Sequence, residues 1–363
     1  VDVGGKTLMP GLIDCHVHVV ATMLNLAANA ALPNATVAYR SIPILKGMLL
    51  RGFTTVRDAG GADAFIARAV EEGDVEGPRI FPSGKALSQT GGHGDPRPRG
   101  DGLCACGDPG RVGLLARVAD GVEEARKATR EELQKGATQI KLMASGGVAS
   151  PTDRIDSTQY SPDEMRAIVA EAEAQNTYVL AHAYTARAIR RAVDCGVRTI
   201  EHGNLVDDET AARMRELGAY AVPTLITYDG LANEGARLGL PQESVAKIDR
   251  VRLAGLRSLE IFKRAGVKMG YGSDLLGELH RLQAHEFVVR SEVLPPVEII
   301  ESATTVGAEI LRMEGRLGVI APGAYADLLV VDGNPLRDIS VLDGQGERLA
   351  AIVQRGRFVK STL

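Results

Sequence analysis

Short apolar runs rich in β-branched residues alternate along the chain with longer stretches in which apolar positions recur at helical spacing. The short runs fall at 12–20, 53–58, 79–83, 139–144, 178–183, 198–202, 220–227 and 268–273, and each predicts a strand. Helical patterns separate most of them. The stretch 123–135 is rich in Ala, Glu, Lys and Arg. The stretch 161–175 opens with Ser161 as N-cap, Pro162 as first helical residue and Glu164 two residues later, the signature of a capping box. Eight strands alternating with helices predict parallel pairing through right-handed crossovers, and eight repeats predict closure into an α/β fold of the (β/α)8 TIM-barrel type.

The last fifty residues change character. Pro322-Gly323 leads into a nearly continuous apolar run at 326–331, and Asp332-Gly333-Asn334-Pro335 reads as a turn. Two further strands are expected at 350–353 and 357–359, around Arg355-Gly356. The opening run 1–8 is a candidate to pair with them. The expected organisation is therefore a barrel over 11–314 and a small β-sandwich-like unit built from 1–10 and 315–363. Val1-Asp2-Val3 begins as if in mid-strand and without an initiator Met, so part of the N-terminal segment is expected to be missing.

Composition narrows the function. A length of 363 residues suits one large α/β barrel with an appendage better than three equal domains. A net charge of −4 with no basic block argues against a nucleic-acid partner. No apolar run approaches the ~20 residues that span a bilayer, and no signal-peptide pattern is evident, so no membrane partner is expected. Cys15, Cys104, Cys106 and Cys195 form no disulfide framework, which points to a reducing, cytoplasmic setting. Cys104 and Cys106 lie in a Gly/Pro-rich stretch and read as loop thiols, because two thiolates do not complete a tetrahedral zinc site.

The chemistry begins at His16-Val17-His18 on the first predicted strand. Alternation puts both imidazoles on one face, where they can clamp a single zinc ion. Packing also produces such pairs. The rest of the pattern tips the balance: Lys141, His182, His202 and Asp274 each lie on or just past the C-terminal part of a later predicted strand, the end where barrel enzymes gather their catalytic groups. Singly they read as a satisfied histidine, a snorkelling lysine or a helix-capping aspartate. Together they converge on one mouth, where buried polar groups must be paired or bound to metal.

Pro10-Gly11-Leu12-Ile13-Asp14 followed by His16-Val17-His18 resembles the opening of the amidohydrolase superfamily barrel. The resemblance covers essentially the whole chain, down to the Ala326-Asp327-Leu328 strand and its Gly333-Asn334-Pro335 turn. It implies two Zn2+ per chain: one held by His16, His18 and Asp274, the other by His182 and His202, with a carboxylated (CO2-derived) Lys141 and a hydroxide bridging them. A neutral lysine amine can add carbon dioxide to become an anionic carbamate, and burial beside cations lowers a lysine pKa from ~10.4 toward that amine. A one-zinc site with unmodified Lys141 is the alternative. Several motifs are similar to the metal-dependent dipeptidases of the prolidase-like branch. They are Gln89-Thr90-Gly91-Gly92-His93-Gly94-Asp95, Ile140-Lys141-Leu142-Met143-Ala144-Ser145-Gly146-Gly147, Leu180-Ala181-His182-Ala183-Tyr184, Glu201-His202-Gly203-Asn204, and Pro223-Thr224-Leu225 with Tyr228.

The implied reaction is attack of the bridging hydroxide on an amide carbonyl, with Asp274 moving the proton to the leaving nitrogen. His93, in a Gly-rich loop, is the candidate for stabilising the developing oxyanion, against a reading as a surface loop residue. Tyr228 is the candidate for a hydroxyl contact to substrate, against a reading as a buried, satisfied tyrosine. Arg57 and Asp58 are expected to pair with each other, and His280 and His285 to lie on the surface. The expected substrate is an L-Xaa-L-Pro dipeptide, with Xaa-Arg or Xaa-Lys dipeptides, N-acyl amino acids and cyclic amides of the imidazolone type as alternatives. A catalytically dead scaffold is disfavoured by the intact Lys141 and Asp274, and a redox role by the lack of soft ligands near the histidines. A homo-oligomer is expected from the resemblance.

Overall fold

The computed structural model describes residues 2–97, 110–150 and 152–363. Cys104 and Cys106, read above as loop thiols, lie outside the described residues. The strands in chain order are β1 (Thr7–Pro10), β2 (Leu12–Val17), β3 (Phe53–Asp58), β4 (Arg79–Phe81), β5 (Ala86–Ser88), β6 (Ala116–Val118), β7 (Ile140–Met143), β8 (Val179–Thr185), β9 (Thr199–Leu205), β10 (Tyr220–Val222), β11 (Leu328–Val331), β12 (Leu349–Gln354) and β13 (Arg357–Ser361). They form a parallel six-stranded sheet in the order β10-β9-β8-β7-β5-β6, a parallel three-stranded sheet β2-β3-β4, and an antiparallel sheet β1-β11-β12-β13.

The parallel strands are buried on both faces, which is why they read as apolar runs rather than as alternating ones. Outside the six-stranded sheet, the helices Gly121–Gln134, Pro162–Ala174 and Ala186–Asp194 each turn a stripe of small and branched residues inward. In Ala186–Asp194 that stripe is Ala188, Ile189, Ala192 and Val193, the spacing of one helical face. Helix Pro162–Ala174 starts on the expected capping box: the Ser161 hydroxyl accepts from Glu164 N–H, and the Glu164 carboxylate accepts from Ser161 N–H. Ile140, Leu142, Ala181, Ile200 and Phe262 fill the space between helices and strands. Emptying such a position costs about 2–5 kcal/mol.

Five elements differ from the sequence reading. β5 and β6 fall outside every expected strand, yet both join the six-stranded sheet. The first strand stops at Val17 rather than at 20. The seventh stops at Val222, because Pro223 offers no N–H to a ladder and the chain enters the helix Leu225–Glu234 instead. The segment 268–273 is extended but carries only one bridge, Met269 to Ala221. Gly270 and Gly272 explain its poor strand character: a Cβ on either would lie 2.5 Å from Ile310 or 2.6 Å from Val222. The segment nevertheless links the two parallel sheets. Ala221 N–H donates to Lys268 O at 3.0 Å and Gly270 N–H to Ala221 O at 2.8 Å on one side, while Cys15 N–H donates to Tyr271 O at 2.7 Å on the other. At the opposite seam Thr138 N–H donates to Pro82 O at 2.8 Å, and Gln139 Nε2 to Phe81 O at 2.9 Å.

The two ends of the chain meet in the antiparallel sheet, where Thr7 stands opposite Val331 and Met9 opposite Leu329. Asp327 ties this sheet to the parallel one: its carboxylate takes Arg79 at 3.1 Å and the Arg355 N–H at 2.7 Å. Among the described residues no helix is long and apolar enough to cross a membrane.

Candidate active site

The ends of β2, β7, β8 and β9 and the turn after residue 273 open onto one cavity of about 310 Å³. It is lined by all six residues expected to hold metal: His16, His18, Lys141, His182, His202 and Asp274. His16 Nε2 and His18 Nε2 lie 3.4 and 3.2 Å from the same Asp274 oxygen. Ligand atoms of His16, His202 and Asp274 all fall within 4.8 Å of one another. The His182 and His202 rings are 4.7 Å apart, centre to centre. His202 and Asp274 both adopt left-handed backbone, with φ of 70° and 51°. Such a conformation is costly for a residue with a Cβ and marks sites where aim matters more than local comfort.

Each imidazole is aimed by a partner on its far side. His16 Nδ1 donates to Glu201 at 2.6 Å, and His18 Nδ1 to the Gly60 carbonyl at 2.9 Å. His182 Nε2 donates to the Gly146 carbonyl at 3.1 Å, and His202 Nδ1 lies 2.8 Å from the Thr224 hydroxyl. Glu201 is itself gripped by Arg57, whose Nη2 reaches both carboxylate oxygens at 2.9 Å, and by Thr199 at 2.6 Å. This corrects the expected pairing of Arg57 with Asp58. Successive strand residues point to opposite faces, and Asp58 instead accepts from the Val19, Gly60 and Ala62 N–H groups.

The electrostatics suit a cation that is not an ammonium. Burial would raise the Glu201 carboxyl, but Arg57 and His16 hold it down to about 2. Burial, chiefly, pulls Lys141 down to about 8 against the opposing pull of Glu201 and Asp274. It also keeps His182 and His202 well below the ordinary imidazole range. Neutral imidazoles oriented from behind, a carboxylate facing two of them and a lysine poised to lose its proton are the donor set a divalent metal requires. The residues present therefore fit the metal that the resemblance implies.

His93 lies on the cavity wall rather than on the surface, stacked on His182 with ring centres 4.3 Å apart and planes 20° apart. Tyr228 is buried, and its hydroxyl donates to Tyr184 at 2.9 Å; both rings line the cavity. His285 is half-exposed and lies 2.9 Å from Asp343. His280 corrects the expected surface position: it is buried, its Nε2 donates to the Ala21 carbonyl, and burial lowers its pKa to about 3. Glu201, Tyr184 and Thr224 were not singled out from the sequence, although all three stand inside the quoted motifs. Asp153 was missed as well, and no motif pointed to it.

A family model described as "Amidohydrolase family" matches residues 7–359. Ochratoxinase from Aspergillus niger is 35% identical over 350 residues, covering 92% of this chain and 72% of its own. Among solved structures, a prolidase complexed with N-methylphosphonate-L-proline is 65% identical with a TM-score of 0.99, covering 100% of this chain and 89% of that one. A Xaa-Pro dipeptidase with methionine bound in its active site is 31% identical with a TM-score of 0.87, covering 98% and 87%.

Proposed function

This chain belongs to the amidohydrolase family, in its prolidase-like branch, and from that premise we propose that it is a binuclear zinc hydrolase of L-Xaa-L-Pro dipeptides. The observation that carries the reading is the meeting of His16, His18, His202 and Asp274 beside a buried Lys141 in one cavity. The 65% identity to a prolidase supports proline as the leaving residue. The backbone bonds between the two parallel sheets support a closed eight-stranded barrel over 11–314, with residues 1–10 and 315–363 as the small β unit.

His16, His18 and Asp274 would hold one zinc ion, His182 and His202 the other, and Lys141, as its carbamate, both. Bound zinc supplies Lewis acidity to the scissile carbonyl and makes water nucleophilic near neutral pH. The protein's own groups do the rest. Asp274, with an oxygen turned into the cavity, takes the proton of the attacking water and returns it to the departing proline nitrogen, which leaves poorly unless protonated. His93 faces the oxyanion that forms at the carbonyl. The Tyr184 oxygen accepts from Tyr228 and so keeps its own proton for the substrate. The leucines at 24, 114, 115 and 231 give the cavity an apolar wall that excludes water around the acyl side.

That wall also favours a second reading, hydrolysis of N-acyl amino acids with an apolar acyl group. The deciding experiment measures amino-acid release by zinc-supplemented protein from L-Xaa-L-Pro, L-Xaa-L-Arg and N-acyl-L-amino acids. Proline release is expected. Release from N-acyl substrates of other amino acids, with none from Xaa-Pro, would replace the first reading by the second. Silence across the panel would sink both.

A further inference from the structure

His93 is held more tightly than a loop residue needs to be. One face of its ring stacks on His182. Gly147 lies close against the ring as well: even one added Cβ there would lie 2.2 Å from the imidazole Cε1. Its backbone N–H donates to Gln159 Oε1 at 2.8 Å. Its Nδ1 faces Asp153 Oδ2 at 3.3 Å, an ion-pair distance without the alignment of a hydrogen bond. Contacts of this kind are often long before substrate binds.

Asp153 is fixed in turn. The same Oδ2 accepts from Gly147 N–H at 3.0 Å and from Gln159 Nε2 at 3.2 Å. Lys247, from the helix Gln242–Arg252, stands 3.5 Å from its Oδ1 and donates to the carbonyls of Gly147, Ser150 and Asp153. Burial would raise this carboxyl, yet His93 and Lys247 hold it down to about 2, so it remains an anion. Its side chain is 2% exposed. A buried aspartate costs free energy unless its charge is used. Here the acceptor faces one ring nitrogen of a cavity residue.

We propose that Asp153 is a positioning residue: it faces a proton on His93 Nδ1 and sets the plane of the ring, so that Nε2–H of the doubly protonated imidazole is the donor left to meet the substrate carbonyl. Gln159 and Gly147 complete the seat, and Lys247 locks the aspartate in place. The role given to His93 rests on the hydrolase reading above.

Two measurements test this. The first is a double-mutant cycle on zinc-loaded protein with an L-Xaa-L-Pro substrate. Asp153→Asn should lower kcat by about tenfold to hundredfold with little change in KM, as expected for a misaimed group. In a His93→Asn background the same change should cost less than about threefold. Asp153→Glu, which keeps the charge, should recover most of the loss. Equal losses in both backgrounds, or no loss in either, would overturn the proposal. The second is the 15N spectrum of the seven histidines in the unmutated protein, assigned by His93→Asn. It needs neither substrate nor a folded Asp153 variant. A proton on His93 Nδ1 is expected, and a bare Nδ1 overturns the proposal even if the enzyme is active. If the unmutated protein releases nothing from the panel, the hydrolase reading fails while the nitrogen spectrum still decides the role of Asp153.

Discussion

Asp274 faces two imidazoles with one oxygen, and its backbone is held left-handed to do so. A shuttle must sit within hydrogen-bond reach of the proton it moves. Asp274→Asn keeps the shape and removes the basicity, so turnover should fall by about 10²–10⁴-fold while the far-ultraviolet spectrum is unchanged. Turnover within threefold of the unmutated protein would refute the shuttle. Glu201 acts one residue further back. Its bond to His16 Nδ1 raises the basicity of that imidazole, so Glu201→Gln should weaken zinc binding by about 10–100-fold, read by competition with a chromogenic chelator. The same change strips a fully buried Arg57 of its counter-charge, so it should also cost about 3–5 kcal/mol in urea unfolding. Asp153 offers a pH signature. Its folded-state pKa is depressed to about 2, below the ordinary 3.8, so its contribution is present above 3.8 and is lost as pH falls through 2. In the metal-free protein, roughly 1 kcal/mol of stability should vanish between pH 5 and 3 on its account. Asp153→Asn should lack that part of the loss, and an identical acid dependence would contradict the assignment.

At the scale of elements, the site was readable where chemistry lies on a strand. His16 and His18 are two apart on an apolar run, and His182 and His202 fall near the ends of such runs, so alternation and burial sufficed to single them out. The partners behind them were not readable, because they come from distant elements. Glu201 lies 185 residues from His16, and Gln159 lies 66 from His93. Pairing Arg57 with Asp58 failed for the same reason: sequence adjacency put together two side chains that a strand sends to opposite faces. The segment 268–273 read as a full strand because its residues suit one, yet its glycines serve close packing rather than a ladder. The turn after β7 tests how such packing reaches the chemistry. Gly147→Ala would drive a methyl against the His93 ring. Displacement of about 1 Å can cost around 10²-fold in rate, so turnover should drop by that order while zinc content holds. A fall in zinc content equal to the fall in rate would place the damage at His182 instead.

Across the whole molecule, the groups around the cavity come from both parallel sheets and from the segment between them. His16 and His18 come from β2 and the turn just beyond it. Lys141, His182 and His202 come from β7, β8 and β9. Asp274 follows the linking segment and donates its own N–H to His16 O at 2.8 Å. The sheets are otherwise joined at that seam by single bonds and one bridge, not by a full ladder. A metal bound by ligands from all three pieces would therefore close the seam where the backbone closes it least. Binding to the folded state alone stabilises it by mass action, about 4 kcal/mol when free metal exceeds Kd a thousandfold. Zinc should accordingly raise Tm by several degrees over chelator-treated protein, and the rise should shrink in Lys141→Ala, which loses the group shared by both positions. Hydrogen exchange should slow on zinc addition at the amides of Cys15, Gly270 and Asp274, which bond across the seam, more than at those in the middle of β8. Protection spread evenly over the chain, or a Tm indifferent to zinc, would mean that backbone and packing alone hold the seam and that the metal, if bound, only serves the reaction.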